Sequence, residues 1–80
     1  MPDDRNGLFH LDRITFEAGE MGGRACIRGM RITVGLIVSL IADGASREEI
    51  LSDYPDLEPE DIRQALVYAA WLTREEIASV

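Results

Sequence analysis

Eighty residues, about 8.9 kDa, make one small domain, because a typical domain of roughly 100 to 200 residues leaves no room for a second core. Apolar residues are 46% of the chain, so it can collapse, yet a domain this short buries only a little over ~60% of its unfolded surface and its core is marginal. Fifteen acids against eight arginines, with no lysine, give a net charge of −7, which argues against wholesale adhesion to nucleic acid or an anionic membrane.

One cysteine, Cys26, cannot close an internal disulfide, whereas small secreted domains normally rely on several. The opening MPDDRNGLFHLD has neither a basic start nor an apolar run, so it does not read as a signal peptide, and a reducing cytoplasm is the expected location. The longest apolar stretch, Ala65 to Leu72, has 8 residues, far short of the roughly 18 a bilayer span needs. Charge is divided unevenly. Residues 1–45 hold six acids and five arginines (net −1), and residues 46–80 hold nine acids and three arginines (net −6).

In chain order, residues 1–12 read as a loose segment and 13–80 as the domain, with a hairpin over 13–32 and a helical core over 33–80. Phe9 to Glu17 keeps a period of two through Phe9, Leu11, Ile14 and Phe16, the pattern of a short strand. Gly22 and Gly23 suit a bend, after which Arg24 to Arg28 returns as a second strand that sets Arg24, Cys26 and Arg28 apart from Ala25 and Ile27. From Thr33 the period changes: a hydroxyl suited to an N-cap, a nearly continuous apolar run and Gly44 as a stop predict the first helix. Ser46-Arg47-Glu48-Glu49 is a capping box opening a second helix that ends near Tyr54-Pro55. Glu58-Pro59-Glu60-Asp61 starts a third, with proline where no backbone donor is missed and acids at the positive dipole end, and a break is expected near Thr73. The fold class is α+β, mostly helical: a short N-terminal β-hairpin followed by a three-helix, helix-turn-helix core.

Catalysis makes the strongest demands, and the inventory does not meet them. His10 is the one histidine, and Cys26 has no second histidine to serve it, so no nucleophile–base pair and no catalytic residue can be named. The acids of the helix first turns are accounted for by the helix dipole without a metal, and no cofactor is called for. GGRACIRG lacks the spacing of a phosphate loop. Flanking arginines can favour the Cys26 thiolate, but a free cysteine more often packs as a small hydrophobe.

Arg24, Arg28 and Arg31 fall within eight positions that contain no acid. Guanidinium forks bind carboxylate or phosphate bidentately, so these three are the candidate partner- or nucleic-acid-binding site; the alternative is that they pair with the chain's own carboxylates. The third helix is a poor reader of DNA by itself, since its first turn carries Glu58, Glu60 and Asp61, whose repulsion outweighs Arg63 and Gln64. If DNA is bound, the arginine segment approaches it, and six arginines in a dimer give a log–log salt slope of about −5 at roughly −0.9 per neutralised phosphate. At 100° per residue, Ile62, Ala65, Leu66 and Ala69 form the core side of this helix, while Glu60, Gln64, Val67 and Trp71 lie opposite. The first helix is apolar on two sides, with Ile37, Leu40 and Ile41 on one and Val34 and Val38 on another. Two helices with spare apolar faces predict a homodimer, with Val67 and Trp71 as its interface; the alternative is that the last turn folds over Trp71 within the same chain.

The blocks Gly22 to Val34, Asp43 to Leu51, Tyr54-Pro55-Asp56-Leu57 and Asp61 to Leu66 resemble the bacterial and archaeal family known as domain of unknown function 433, over about Arg13 to Trp71. Ala25 and Met30 depart from the proline and threonine common there. The resemblance implies a β-hairpin before a homeodomain-like or winged helix-turn-helix core. It also implies the antitoxin half of a type II toxin–antitoxin pair whose partner is a PIN-like ribonuclease, with operator DNA as a second ligand. An arginine of Arg24, Arg28 or Arg31 would then enter the carboxylate cluster of the toxin's metal site. A stand-alone transcriptional regulator on the same scaffold is the alternative.

Overall fold

The structure, a computed structural model, describes residues 11–16 and 24–73. Two strands, β1 (Ile14–Phe16) and β2 (Ala25–Ile27), pair antiparallel with Ile14 opposite Ile27, Thr15 opposite Cys26 and Phe16 opposite Ala25. Three helices follow: α1 (Val34–Ala42), α2 (Arg47–Asp53) and α3 (Pro59–Leu72). The chain is thus α+β and mostly helical, as the sequence predicts.

A pair of three-residue strands has too few ladder bonds to stand alone. It is held because Ile27 is fully buried in the helical core, with Ile14 and Ala25 against the same cluster. The first strand is shorter than the alternation suggests. Leu11 lies in a turn whose carbonyl accepts from the Ile14 N–H at 3.2 Å; Phe9, Glu17 and the Gly22–Gly23 bend lie outside the described residues. Nor does the loose segment extend to residue 12, because Leu11 is buried and the Asp12 carboxylate accepts a bond from Gln64 Nε2 at 3.0 Å.

Alternation also misjudges β2. Cys26 and Ile27 point to opposite faces, yet both are buried, because Cys26 pairs with Thr15 on one edge and bridges to Thr33 on the other. That second pairing needs a tight reversal directly after β2. Met30 N–H donates to the Ile27 carbonyl at 2.8 Å and Ile27 N–H to the Ile32 carbonyl at 2.9 Å. Arg28 (φ 49°) and Gly29 (φ 72°) make the reversal in the left-handed region, open to glycine and unfavourable for arginine. Arg28 therefore sits in a turn and not in the strand.

The helix signals act where the sequence puts them. Thr33 caps α1, its hydroxyl accepting from Leu36 N–H at 3.0 Å, and Gly44 at φ 100° lets the chain leave the helix. Ser46 and Glu49 form the reciprocal box of α2. Pro59 opens α3, which ends at Leu72 with Thr73 as its C-cap. Their inward faces enclose Val34, Ile37, Ile50, Leu57, Ile62 and Ala65. Both apolar sides of α1 are used: Val34 and Ile37 are buried, and Val38, Leu40 and Ile41 pack against the cluster. What α1 leaves outside is Gly35, Ser39 and Ala42.

Candidate functional site

The helix-dipole reading explains why an acid stands near the start of α3, but not where Asp61 goes. Its side chain has no exposed surface. A bare buried carboxylate would cost several kcal/mol, so it has to be answered by charge and by hydrogen bonds. Both are present. Oδ1 accepts from Arg13 Nη1 and Arg28 Nε, each at 3.1 Å, and Oδ2 accepts from Arg28 Nη2 at 2.9 Å and from Glu58 N–H at 2.8 Å. These four bonds fill the acceptor capacity of a carboxylate.

Arg13 Nη1 also meets Glu58 at 2.6 Å, and Arg28 Nη2 donates to the Asp56 carbonyl at 2.6 Å. Burial pushes the Asp61 carboxyl up, but the bonds from Arg28, the Glu58 backbone and Arg13 outweigh it and hold the group below the usual carboxylate range. The guanidiniums of Arg13 and Arg28 are held above theirs, chiefly by bonds to Glu58 and Asp61 in the first case and to Asp61 in the second.

A second cluster lies one turn on. Arg63 grips Glu60 through two bonds at 2.8 and 2.6 Å, and Gln64 Nε2 adds a third at 2.9 Å, taking the Glu60 carboxyl down to about 2. Gln64 is only 3% exposed, a correction to its expected outward position. The segment before β1 covers it, since Gln64 Oε1 accepts from Arg13 N–H at 3.0 Å while Nε2 reaches Asp12. Sequence reasoning missed Arg13, Asp61 and Gln64. The one available signal was that Asp61 occupies the reciprocal position three residues after Glu58, which marks a residue turned back toward the chain.

Of the three candidate arginines, the structure brings Arg28 alone into this node. Its guanidinium is bound within its own chain, the outcome the alternative reading expects. Arg24 and Arg31 are exposed and take no part in the node. The two interface candidates, Val67 and Trp71, are both half-buried, and Trp71 lines a 330 Å³ cavity with Leu11, Ile14, Phe16 and Tyr68. The ring of Tyr68 meets Phe16 edge to face at 5.9 Å, so β1 and the residues before it cover this side of α3. A different surface stays open. Between α1 and α3 runs an apolar groove of 520 Å³, floored by Val34, Gly35 and Val38, walled by Tyr68 and Leu72, with Arg24 at its rim.

Among the described residues no group of three or more histidines, cysteines, aspartates or glutamates is placed to hold a metal, and no helix is long and apolar enough to cross a membrane. Among the described residues the surface presents an apolar groove and exposed guanidiniums, while Glu58, Glu60 and Asp61 are paired with arginines.

A family model described as protein of unknown function (DUF433) matches residues 14–69. An uncharacterized protein of Sinorhizobium fredii, y4eO, is 36% identical over 56 residues, 70% of this chain, which spans a quarter of that relative's length. The crystal structure of a DUF433 member protein from Anabaena variabilis is similar at a TM-score of 0.71 and 32% identity, over 99% of this chain and 83% of that one.

Proposed function

Because this chain belongs to the DUF433 family, we propose that it is a non-enzymatic, antitoxin-like binding module of the cytoplasm that neutralises a PIN-like ribonuclease by direct contact. The observation that carries this reading is the sorting of the arginines. Arg13, Arg28 and Arg63 answer Glu58, Asp61 and Glu60, whereas Arg24 is exposed and pairs with no acid among the described residues. An exposed guanidinium fork next to an apolar groove suits a protein surface that presents carboxylates, and a metal-dependent ribonuclease gathers carboxylates around its cations. Arg28 drops out of this role, since withdrawing it would strand Asp61.

Co-expression with a PIN-like ribonuclease from the source genome tests the reading. The chain is expected to co-purify with the nuclease and suppress its RNA cleavage, and Arg31→Ala is expected to weaken suppression about tenfold or more while the variant stays folded by circular dichroism. Full suppression by an Arg24→Ala, Arg31→Ala double variant removes the arginine role, and absence of any complex removes the antitoxin reading.

One observation favours operator binding as a second activity. The three acids at the start of α3, Glu58, Glu60 and Asp61, face three arginines, Arg13, Arg28 and Arg63, so the local charge sums to zero and the repulsion expected of a bare acidic turn is offset. Two copies using Arg24 and Arg31 would give a log–log salt slope near −4, at roughly −0.9 per neutralised phosphate. A flat slope in a retention assay rules this out.

A further inference from the structure

Helix α1 has no charged side chain from Val34 to Ala42. A helix at a protein surface ordinarily places charges on its outward face, and one that is uncharged all round is ordinarily covered. The outward residues of α1 are Gly35, Ser39 and Ala42, spaced four and three apart on one face, all exposed. The charges at the two ends of the helix indicate what covers this face. Arg24 shares a groove with Thr33, Val34 and Gly35 at the positive dipole end, and Asp43 caps the negative end. Both are exposed, and neither forms an ion pair among the described residues.

Each charge is at the less favourable end, because cations stabilise a helix C-terminus and anions an N-terminus. The other two helices follow that rule in their first turns, with Glu48 and Glu49 in α2 and Glu60 and Asp61 in α3. The first turn of α1 has no acid and its last turn no base.

We infer that α1 is the contact face for a second copy of this chain, laid antiparallel across it on a two-fold axis near Val38. That single operation brings each Asp43 to the other copy's positive helix end and to its Arg24, so both misplaced charges find their complements twice over. The interface is isologous, as a two-fold requires. Gly35 faces the second copy's Ala42, and these small side chains let the helix axes approach closely. Leu72, 57% exposed on the α3 lip of the groove, gains cover beside the same contact. The interface we infer lies on α1, a different surface from the half-buried Val67 and Trp71 of α3. It does not depend on the toxin, since the charges it uses, Arg24 and Asp43, meet across two copies of this chain.

Sedimentation equilibrium of the full chain over a concentration series tests the pairing. The wild type is expected to rise from 8.9 kDa to twice that mass. Arg24→Asp and Asp43→Arg are each expected to raise the dissociation constant about tenfold or more, and the two together to restore it to within a few-fold of wild type. Ser39→Arg, at an exposed position on the middle of the face, is expected to give a folded monomer. Because each copy carries −7, salt screens a general repulsion as well as the two local pairs, so charge reversal is the decisive readout. A wild type that stays monomeric at every concentration, a dimer indifferent to these substitutions, or reversal without rescue overturns the inference. None of these outcomes bears on nuclease suppression, which Arg31→Ala tests separately.

Discussion

Arg28 and Asp61, 33 residues apart in sequence, meet through two parallel bonds, Nε to Oδ1 at 3.1 Å and Nη2 to Oδ2 at 2.9 Å. The geometry is the fork-on-carboxylate pairing that fixes orientation as well as charge. It joins a turn of the hairpin to the first turn of α3, and Arg13 closes on the same carboxylate from the strand side.

Removing the shared acceptor is therefore worse than removing either donor. Asp61→Ala is expected to destabilise the fold by about 1 to 3 kcal/mol through the loss of its charge-assisted bonds, as read by urea unfolding. Arg13→Ala, which leaves Arg28 in place, is expected to cost clearly less. Equal losses would mean that the node acts as a single pair.

Arg28 carries two separable burdens, a charge partner and a left-handed backbone at φ 49°. Both Arg28→Ala and Arg28→Gly lose the pair, but glycine alone relieves the backbone. Arg28→Gly is expected to melt a few degrees above Arg28→Ala. Identical melting temperatures would show that the turn is not strained.

Acid should unfold the protein through these carboxyls. Asp61 and Glu60 have folded values below their unfolded ones, Glu60 at about 2 against an ordinary 4.5. A depressed carboxyl contributes stability that is fully present above its unfolded value and is lost as pH falls through the folded one. Stability followed by circular dichroism is expected to be flat above pH ~5 and to fall between about pH 4.5 and 2. In Asp61→Asn the fall should be shallower, since one of the linked groups is gone.

Two glycines should respond to alanine with opposite signs. Gly44 has φ 100°, so Gly44→Ala forces a side chain into the left-handed region and is expected to cost about 1 kcal/mol or more. Gly35 lies in the first turn of α1, where an added Cβ meets only Thr33 Oγ1 at 3.9 Å, an ordinary contact. Gly35→Ala is expected to stabilise the monomer by roughly 0.5 to 1 kcal/mol, measured by thermal melting at low protein concentration.

The Cys26 thiol, 1% exposed and bonded to the Arg24 carbonyl at 3.4 Å, should react with a thiol reagent only when the domain opens. Labelling is then expected to slow in step with added stability across variants. Prompt labelling of the native protein would contradict this burial.

The elements legible in the sequence are those whose signals are local. Thr33, the Ser46–Glu49 box, Pro59 and Gly44 each act within one helical turn of themselves, and all four behave as written. The site was harder to read because its partners are remote. Asp61 and Gln64 look like outward polar residues on a helical wheel, and only the hairpin, 33 to 52 positions away in sequence, turns them inward. The same distance hid the approach of Leu11, Ile14 and Phe16 to Trp71, with which they line one cavity. Periodicity counts residues along one element and has no access to what a distant segment lays on top of it.

The order in which the node is synthesised has a consequence for the nascent chain. Arg13 and Arg28 leave the ribosome well before Asp61, so a hairpin completed early would hold two like charges side by side with nothing between them. The two strands are therefore not expected to settle ahead of α3. Ribosome-bound chains halted before α3 should remain open to protease, and protection should arrive in one step once the acid has emerged.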